Sequence, residues 1–179
     1  GDYGNNLSID NITIKQPPAM EYVSSTATPT TGSTQTGVGA VNTQVIGLQI
    51  VTSGTINPLS VSTFNFTTDG SSLPGTDIAN AKLWHTASSS FGTSEQVGST
   101  VSGPSGAFAF TPGTPFELST GTNYFWLTYD ISSGATPLNV VDATCPSLVI
   151  STVTRTPTVT APAGNIEILG PIAAGTYTF

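Results

Sequence analysis

The chain has 179 residues, a length that suits one domain of ordinary size with flanking pieces. Only 7% of the residues are charged and the net charge is −7, so Lys15, Lys82 and Arg155, the three basic residues, cannot form the clustered positive surface that nucleic acids or anionic membranes require. No apolar run approaches the roughly 18 residues of a spanning helix, so we expect no membrane insertion.

A single cysteine, Cys145, excludes an intrachain disulfide and a Cys-x-x-Cys metal site. Ser and Thr supply most of the polarity, as is typical of exposed strand faces. A charge-poor surface of this kind favours a secreted, cell-surface bacterial protein. The chain starts at Gly1 without a signal peptide, so we expect it to be a piece of something longer or a processed product.

The first sixteen residues predict a strand with nothing of its own to pair with. Its apolar positions, which change phase at residues 10–11 and so predict a bulge, are Leu7, Ile9, Ile12 and Ile14. Because a lone strand has no stability, we expect residues 1–16 to be the terminal strand of a preceding domain or a strand exchanged with a neighbouring copy. The prolines at 17 and 18 cannot donate to a sheet ladder and mark the boundary.

Short strands separated by turn signals fill residues 20–154, which we expect to form the main module. They are predicted at 20–25, 43–52, 59–67, 79–86, 95–101, 107–111, 115–118, 122–131, 138–143 and 148–154. Residues 26–39 are predicted to be irregular and edge-like, and a phase change within 59–67 predicts a bulge. This spacing is typical of an antiparallel sandwich, and no window has the periodicity of a long helix.

The most strongly patterned stretch is 118–131. Leu118 lies six residues before Tyr124, with Gly121 between them, an arrangement like the tyrosine corner of immunoglobulin-type sandwiches, in which the tyrosine hydroxyl bonds back to the corner. We take these three residues as fold-defining. The predicted fold is an all-β, immunoglobulin-like antiparallel β-sandwich with additional terminal strands.

Beyond residue 154 the pattern thins into Pro, Thr, Ala and Gly, with a further strand at 165–169. Residues 155–179 are predicted to be a linker and the start of a following domain or of an exchanged strand. Tyr177 and Phe179 are the candidate exchange residues there, as the four apolar residues of the first strand are at the other end.

Five segments, in order and spacing, carry a resemblance over residues 20–154: they are 42–50, 53–59, 77–84 with its Ala-Lys-Leu-Trp, 91–102, and 121–131 with its Tyr-Phe-Trp-Leu-Thr-Tyr-Asp. In these the chain resembles the N-terminal accessory domain of bacterial BNR-repeat neuraminidases, which also occurs in large secreted proteins of Bacteroidetes. The resemblance implies an accessory β-sandwich. It implies no catalysis, because neuraminidase chemistry lies in a propeller with Ser-x-Asp-x-Gly-x-Thr-Trp boxes and none occurs here.

Candidate chemistry is sparse, and we predict no catalytic residue and no enzyme. His85 and Cys145 are single copies without a recognisable third group, and the acidic residues form no paired motif. Asp2 and Asp10, with neighbouring asparagines, are the candidate ligands for calcium, although turn formation explains the same residues. No other cofactor is expected.

Trp84, Trp126 and Tyr129 are the candidate ligand-binding residues, because aromatic rings can stack on sugars; core packing is the alternative. Two functions remain open. The first is a structural or adhesive module that assembles with neighbouring domains or copies, through strand addition into fibres. The alternative is a carbohydrate-binding accessory module of a secreted, sialidase-like glycosidase, with glycans as partners.

Overall fold

The computed structural model describes residues 15–171. The predicted strand at 7–14, the calcium candidates Asp2 and Asp10, and Tyr177 and Phe179 lie outside this part of the chain. The strands are β1 (Glu21–Pro29), β2 (Gln35–Gly37), β3 (Thr43–Ser53), β4 (Ser60–Thr67), β5 (Ile78–Thr86), β6 (Glu95–Gln96), β7 (Val101–Ser102), β8 (Ala107–Phe110), β9 (Phe116–Glu117), β10 (Gly121–Ile131), β11 (Val140–Val141), β12 (Thr144–Ile150), β13 (Val153–Arg155) and β14 (Ile166–Leu169). One four-residue helix, α1 (Pro74–Asp77), precedes β5. No helix within 15–171 is long and apolar enough to cross a membrane.

Two antiparallel sheets make up most of the described part of the chain. The large sheet has the order β1-β3-β10-β5-β6, with β7 also paired to β5; the second has the order β13-β12-β4-β8, with β9 paired to β4. A small third sheet, β11-β14-β2, contains the parallel pair β14–β2. The predicted all-β sandwich is confirmed.

The core lies between the two larger sheets because β10 alternates. Phe125, Leu127 and Tyr129 are at most 1% exposed and turn toward the second sheet. The Phe125 ring lies 4.9 Å from that of Phe64 on β4, and Tyr129 lies 6.4 Å from Phe108 on β8. Each such side chain contributes about 1.5–3 kcal/mol by leaving water, so this one strand organises the interior.

Three local predictions meet different outcomes. The bulge expected within 59–67 is present, since the register of β4 against β12 shifts between Val61 and Thr63. Residues 26–39 are less irregular than predicted, because β1 continues to Pro29 and β2 forms within them. The strand predicted at 148–154 is instead a hairpin, because Ser151 and Thr152 have φ of 43° and 73° and reverse the chain.

The corner at 118–124 differs from the prediction. Leu118 is 2% exposed and Gly121 has φ of 95°, so both are structural residues of the corner. Tyr124, however, is on the opposite face from the core, and its hydroxyl has no hydrogen-bond partner within 15–171. The preceding residue, Asn123, is buried at the corner and bonds to it. The prediction of a tyrosine corner is therefore wrong by one residue. The Asn123 amide, which can donate and accept hydrogen bonds at the same time, closes the corner instead of the Tyr124 hydroxyl.

Residues 155–171 pack against the sandwich. Ile166 and Ile168 of β14 are fully buried in the same hydrophobic core as the main module, and Glu167 pairs with Gln35 in β2. Earlier in this segment, the Ala27 N–H of β1 donates to the Val159 carbonyl oxygen at 2.8 Å. The predicted division at 154/155 thus does not coincide with a break in packing, because β14 belongs to the same hydrophobic core as the sandwich.

Candidate functional site

The outer face of the large sheet carries polar and aromatic side chains that the core does not use. On β10 these are Tyr124, Trp126, Thr128 and Asp130. Their neighbours across the ladder to β5 include Trp84, opposite Trp126. Most of this face is buried, so it behaves as a second packed layer rather than an open sheet surface.

The two tryptophans are packing residues. Trp84 is 9% exposed and its indole N–H donates to the Thr128 hydroxyl at 2.9 Å; Trp126 is 3% exposed and its indole N–H donates to the Thr86 hydroxyl at 2.7 Å. Tyr129 is fully buried on the core side, and its hydroxyl donates to the Asp142 carbonyl oxygen at 3.3 Å. The residues predicted to stack on sugars therefore present no free ring face in this structure, because strand neighbours and loops cover them.

An ion pair lies beyond the tryptophans on the same face. The Lys82 ammonium is 2.7 Å from one Asp130 oxygen, and the Asn42 backbone N–H donates to the other at 3.0 Å. Asn80 also donates to Asp130, at 3.1 Å. Although desolvation raises it, the pKa of Asp130 is held below its ordinary value by the hydrogen bonds from Lys82, Asn42 and Asn80. This network fixes the end of β10.

A groove of about 230 Å³ opens beside this layer. It lies between the segment that joins β1 to β3 and the loop that joins β5 to β6. Residues that line it include Thr30, Ser33, Gln35, Thr43, Gln44 and Phe91. Phe91 contacts Trp126 edge-on, with 5.9 Å between ring centroids, and is itself 37% exposed. It is the one aromatic residue among the exposed large apolar side chains of the described chain.

Gln44 lines the groove and carries a hydrogen-bond donor without a partner in the described part of the chain. The side chain is 7% exposed, and its Oε1 accepts from the Thr31 hydroxyl at 3.1 Å. Its Nε2 is buried and has no partner among residues 15–171. A buried donor without a partner costs about 1–3 kcal/mol of folding free energy.

Local hydrogen bonds hold the rim of the groove. The Thr30 hydroxyl accepts the Gly32 N–H at 3.2 Å, and the Ser33 hydroxyl accepts the Gln35 N–H at 3.0 Å. The Gln35 amide in turn donates to Glu167 of β14 at 3.1 Å. Such side-chain turns order a Thr/Ser/Gly-rich segment that would otherwise lose too much entropy to stay fixed. An ordered wall of hydroxyls and amides facing one aromatic ring suits a neutral ligand rich in hydroxyl groups.

The remaining sequence candidates are dispersed. The His85 ring nitrogen Nδ1 is 2.7 Å from Glu95, and the ring packs between Phe116 and Phe125. Cys145 is fully buried, and burial raises the pKa of its thiol to about 12. Within 15–171, no three or more His, Cys, Asp or Glu side chains are grouped closely enough to hold a metal ion. The calcium prediction concerns Asp2 and Asp10 and is untouched by this.

Phe91 and Gln44 were missed by the sequence reasoning. Phe91 is a single aromatic residue inside a loop of serines and glycine, 88–94, and an aromatic residue with no strand to pack into is a signal for exposure. Gln44 lies in a strand whose other residues are mostly apolar, and nothing in the sequence distinguishes its free amide from a satisfied one.

Comparison with known proteins shows a similarity of fold to solved structures. No family model matches the sequence, and no curated protein matches it. The fold is similar to the solved structure of Hadza microbial sialidase Hz136, with a TM-score of 0.55 and 12% sequence identity. The similarity covers 75% of this chain and 29% of the sialidase, so it concerns a part of that protein and, at this identity, the fold alone.

Proposed function

We propose that this chain is a non-catalytic carbohydrate-binding module that accompanies a secreted, sialidase-type glycosidase, and that the groove beside Phe91 is its glycan site. One observation carries the proposal. The Gln44 amide nitrogen is buried without a partner among residues 15–171, in the wall of a groove that also exposes an aromatic ring. A sugar could use both features: one of its hydroxyl oxygens would accept from the Gln44 amide, and the sugar ring would lie on the Phe91 ring.

The structural neighbour supports this choice of context. Its name is that of a sialidase, and this chain corresponds to 29% of its length. An accessory domain of such an enzyme, as in the BNR-repeat neuraminidases that the sequence resembles, would have the role of holding the enzyme near its glycan. The absence of a Ser-x-Asp-x-Gly-x-Thr-Trp box from the sequence supports assigning chemistry to another part of that protein.

A glycan array probed with residues 1–179, followed by calorimetry on the best neutral glycan, tests the proposal. Phe91→Ala and Gln44→Leu should each weaken binding about tenfold or more, since about 1.4 kcal/mol corresponds to that factor. Leu73→Ala is the matched control, because Leu73 is also exposed and apolar but does not line the groove. Array binding that survives both groove substitutions unchanged would refute the site, and no array binding at all would refute the function.

The structural or adhesive role stays a prediction. Its candidate exchange residues lie outside 15–171, so the described contacts support neither outcome. One set of contacts nevertheless restricts strand addition. Residues 158 and 159 bond to the edge of β1 that does not pair with β3, and the Thr158 N–H donates to the Ser25 carbonyl oxygen at 2.8 Å. A strand added from a neighbour at this edge would have to displace them.

A further inference from the structure

A second concave site lies apart from the groove, where β1 approaches the β12–β13 hairpin. It is a cleft of about 400 Å³, within the roughly 300–1,000 Å³ range typical of ligand pockets. Its lining includes Met20, Glu21 and Tyr22 from the start of β1, with Ser151, Val153 and Arg155 from the hairpin. None of these residues lines the groove beside Phe91.

Arg155 is the distinctive residue of this cleft. It is the one arginine in the chain, and its guanidinium carbon lies 4.6 Å from the centre of the Tyr22 ring. Tyr22 is itself held by a hydrogen bond of 2.8 Å between its hydroxyl and that of Ser25. A guanidinium is attracted to the negative face of an aromatic ring, so the Tyr22 ring helps to hold the Arg155 side chain in place.

The charge of Arg155 is not neutralised within 15–171. The two ion pairs there are Lys82–Asp130 and His85–Glu95, and neither includes it. Its Nε is buried and has no hydrogen-bond partner in the same part of the chain. Glu21 lines the cleft but does not come within ion-pair distance. Arg155 is half-buried, so the cleft holds a positive charge that no carboxylate of the described chain pairs with, in a protein of net charge −7.

We propose that this cleft binds the carboxylate of a small hydroxylated acid, such as a uronic acid, through Arg155. A guanidinium presents parallel donors that match the two oxygens of a carboxylate. The Ser151 hydroxyl oxygen, in the same cleft, accepts the Ser60 N–H at 3.2 Å, and its own hydrogen is available to a ligand hydroxyl. Glu21 repels additional negative charge, which favours a singly charged carboxylate over a doubly charged phosphate. The site does not depend on glycan binding at the groove.

Nuclear magnetic resonance offers a direct readout, because one arginine gives one Nε–H resonance. Residues 1–179 are titrated with D-glucuronate, D-glucose and inorganic phosphate. We expect a saturable shift of this resonance with glucuronate, none with glucose and a smaller one with phosphate. No response to glucuronate up to about 50 mM, a limit that corresponds to less than about 2 kcal/mol of binding, would overturn the proposal, as would an equal response to glucose or phosphate.

Variants separate binding from folding. With amide shifts as the readout, Arg155→Gln should abolish glucuronate binding, and Arg155→Lys, which keeps the charge without the fork, should weaken it several-fold. Glu21→Gln should strengthen it about two- to fivefold by removing a repulsive charge, a gain that misfolding cannot imitate. Phe91→Ala should leave it unchanged, so failure of the groove and failure of the cleft are distinguishable. A Glu21→Gln protein that binds no better than the parent would contradict the charge argument.

Discussion

The side-chain amide of Asn123 and the backbone of Ser119 form two hydrogen bonds in opposite directions at the start of β10. The Ser119 N–H donates to Asn123 Oδ1 at 2.8 Å, and Asn123 Nδ2 donates to the Ser119 carbonyl oxygen at 2.9 Å. The same Nδ2 reaches the Ile50 carbonyl oxygen of β3 at 3.3 Å. One buried amide thus closes the corner and ties it to the neighbouring strand.

Asn123→Ala should therefore lower the free energy of unfolding by about 1–3 kcal/mol, because it leaves buried backbone groups without partners. Tyr124→Phe is the matched control. Its hydroxyl has no partner within 15–171, so its removal should change stability by less than about 0.5 kcal/mol. Urea unfolding measures both. A larger effect at Tyr124 than at Asn123 would restore the tyrosine corner and contradict the closure described here.

Asp130→Asn should destabilise the protein at neutral pH by about 1–3 kcal/mol, since hydrogen bonds to a charged group are lost. Because the pKa of Asp130 is lowered on folding, its stabilising contribution is full above the ordinary value of 3.8 and is lost as pH falls through the folded pKa. The difference between variant and parent should shrink below about pH 4.

Melting temperatures of the two proteins from pH 7 to pH 3 measure that difference. Asp142, whose pKa is raised by desolvation, works in the opposite sense: its contribution is lost as pH rises through its folded pKa. It is common to both proteins and cancels in the comparison. A difference that stays constant down to pH 3 would show that the Asp130 charge is not what stabilises β10.

Gly47→Ala should destabilise by about 1–3 kcal/mol, the usual effect of overpacking. A Cβ atom at this position would lie 2.5 Å from the Thr28 hydroxyl oxygen and 3.0 Å from Cζ3 of Trp126, whose ring lies over the glycine. Gly113→Ala is the control, because a Cβ there meets nothing within 4 Å. Thermal unfolding compares the two variants, and equal stability would mean that both Thr28 and Trp126 can move away from the added Cβ atom.

Thr152→Gly should raise the free energy of unfolding by about 0.5–1 kcal/mol. The φ of 73° at Thr152 is one that a β-branched residue adopts only under strain, whereas glycine adopts it freely. Thr154→Gly, two residues on and inside β13, should have the opposite sign. Urea unfolding measures the free energy of unfolding of both variants. Destabilisation by both substitutions would mean that the turn carries no strain.

How far the sequence predicts this protein depends on the range of the interactions. Alternation in β10 predicts its two faces correctly, because period-two patterning is local. The hairpin turn at Ser151 and Thr152 was not predicted, because its positive φ angles occur without Gly or Asn, the residues that usually indicate such a turn. Trp84 and Trp126 are held by contacts with residues distant in sequence, such as Thr128 and Phe91, and no local pattern encodes such contacts. For the same reason, neither Gln44 nor Arg155 differs in the sequence from a satisfied residue.

The parallel pairing of β14 with β2 has a kinetic consequence. Gln35 and Glu167, which bond across this pair, are 132 residues apart in sequence. Closing so long a loop is entropically costly and slow compared with forming hairpins such as β12–β13. The rim of the groove is bonded to Glu167 through Gln35, so we expect it to be the last part of the described fold to form. During synthesis the rim remains incomplete until the ribosome has released residue 167, so the groove is completed only after most of the sandwich has formed.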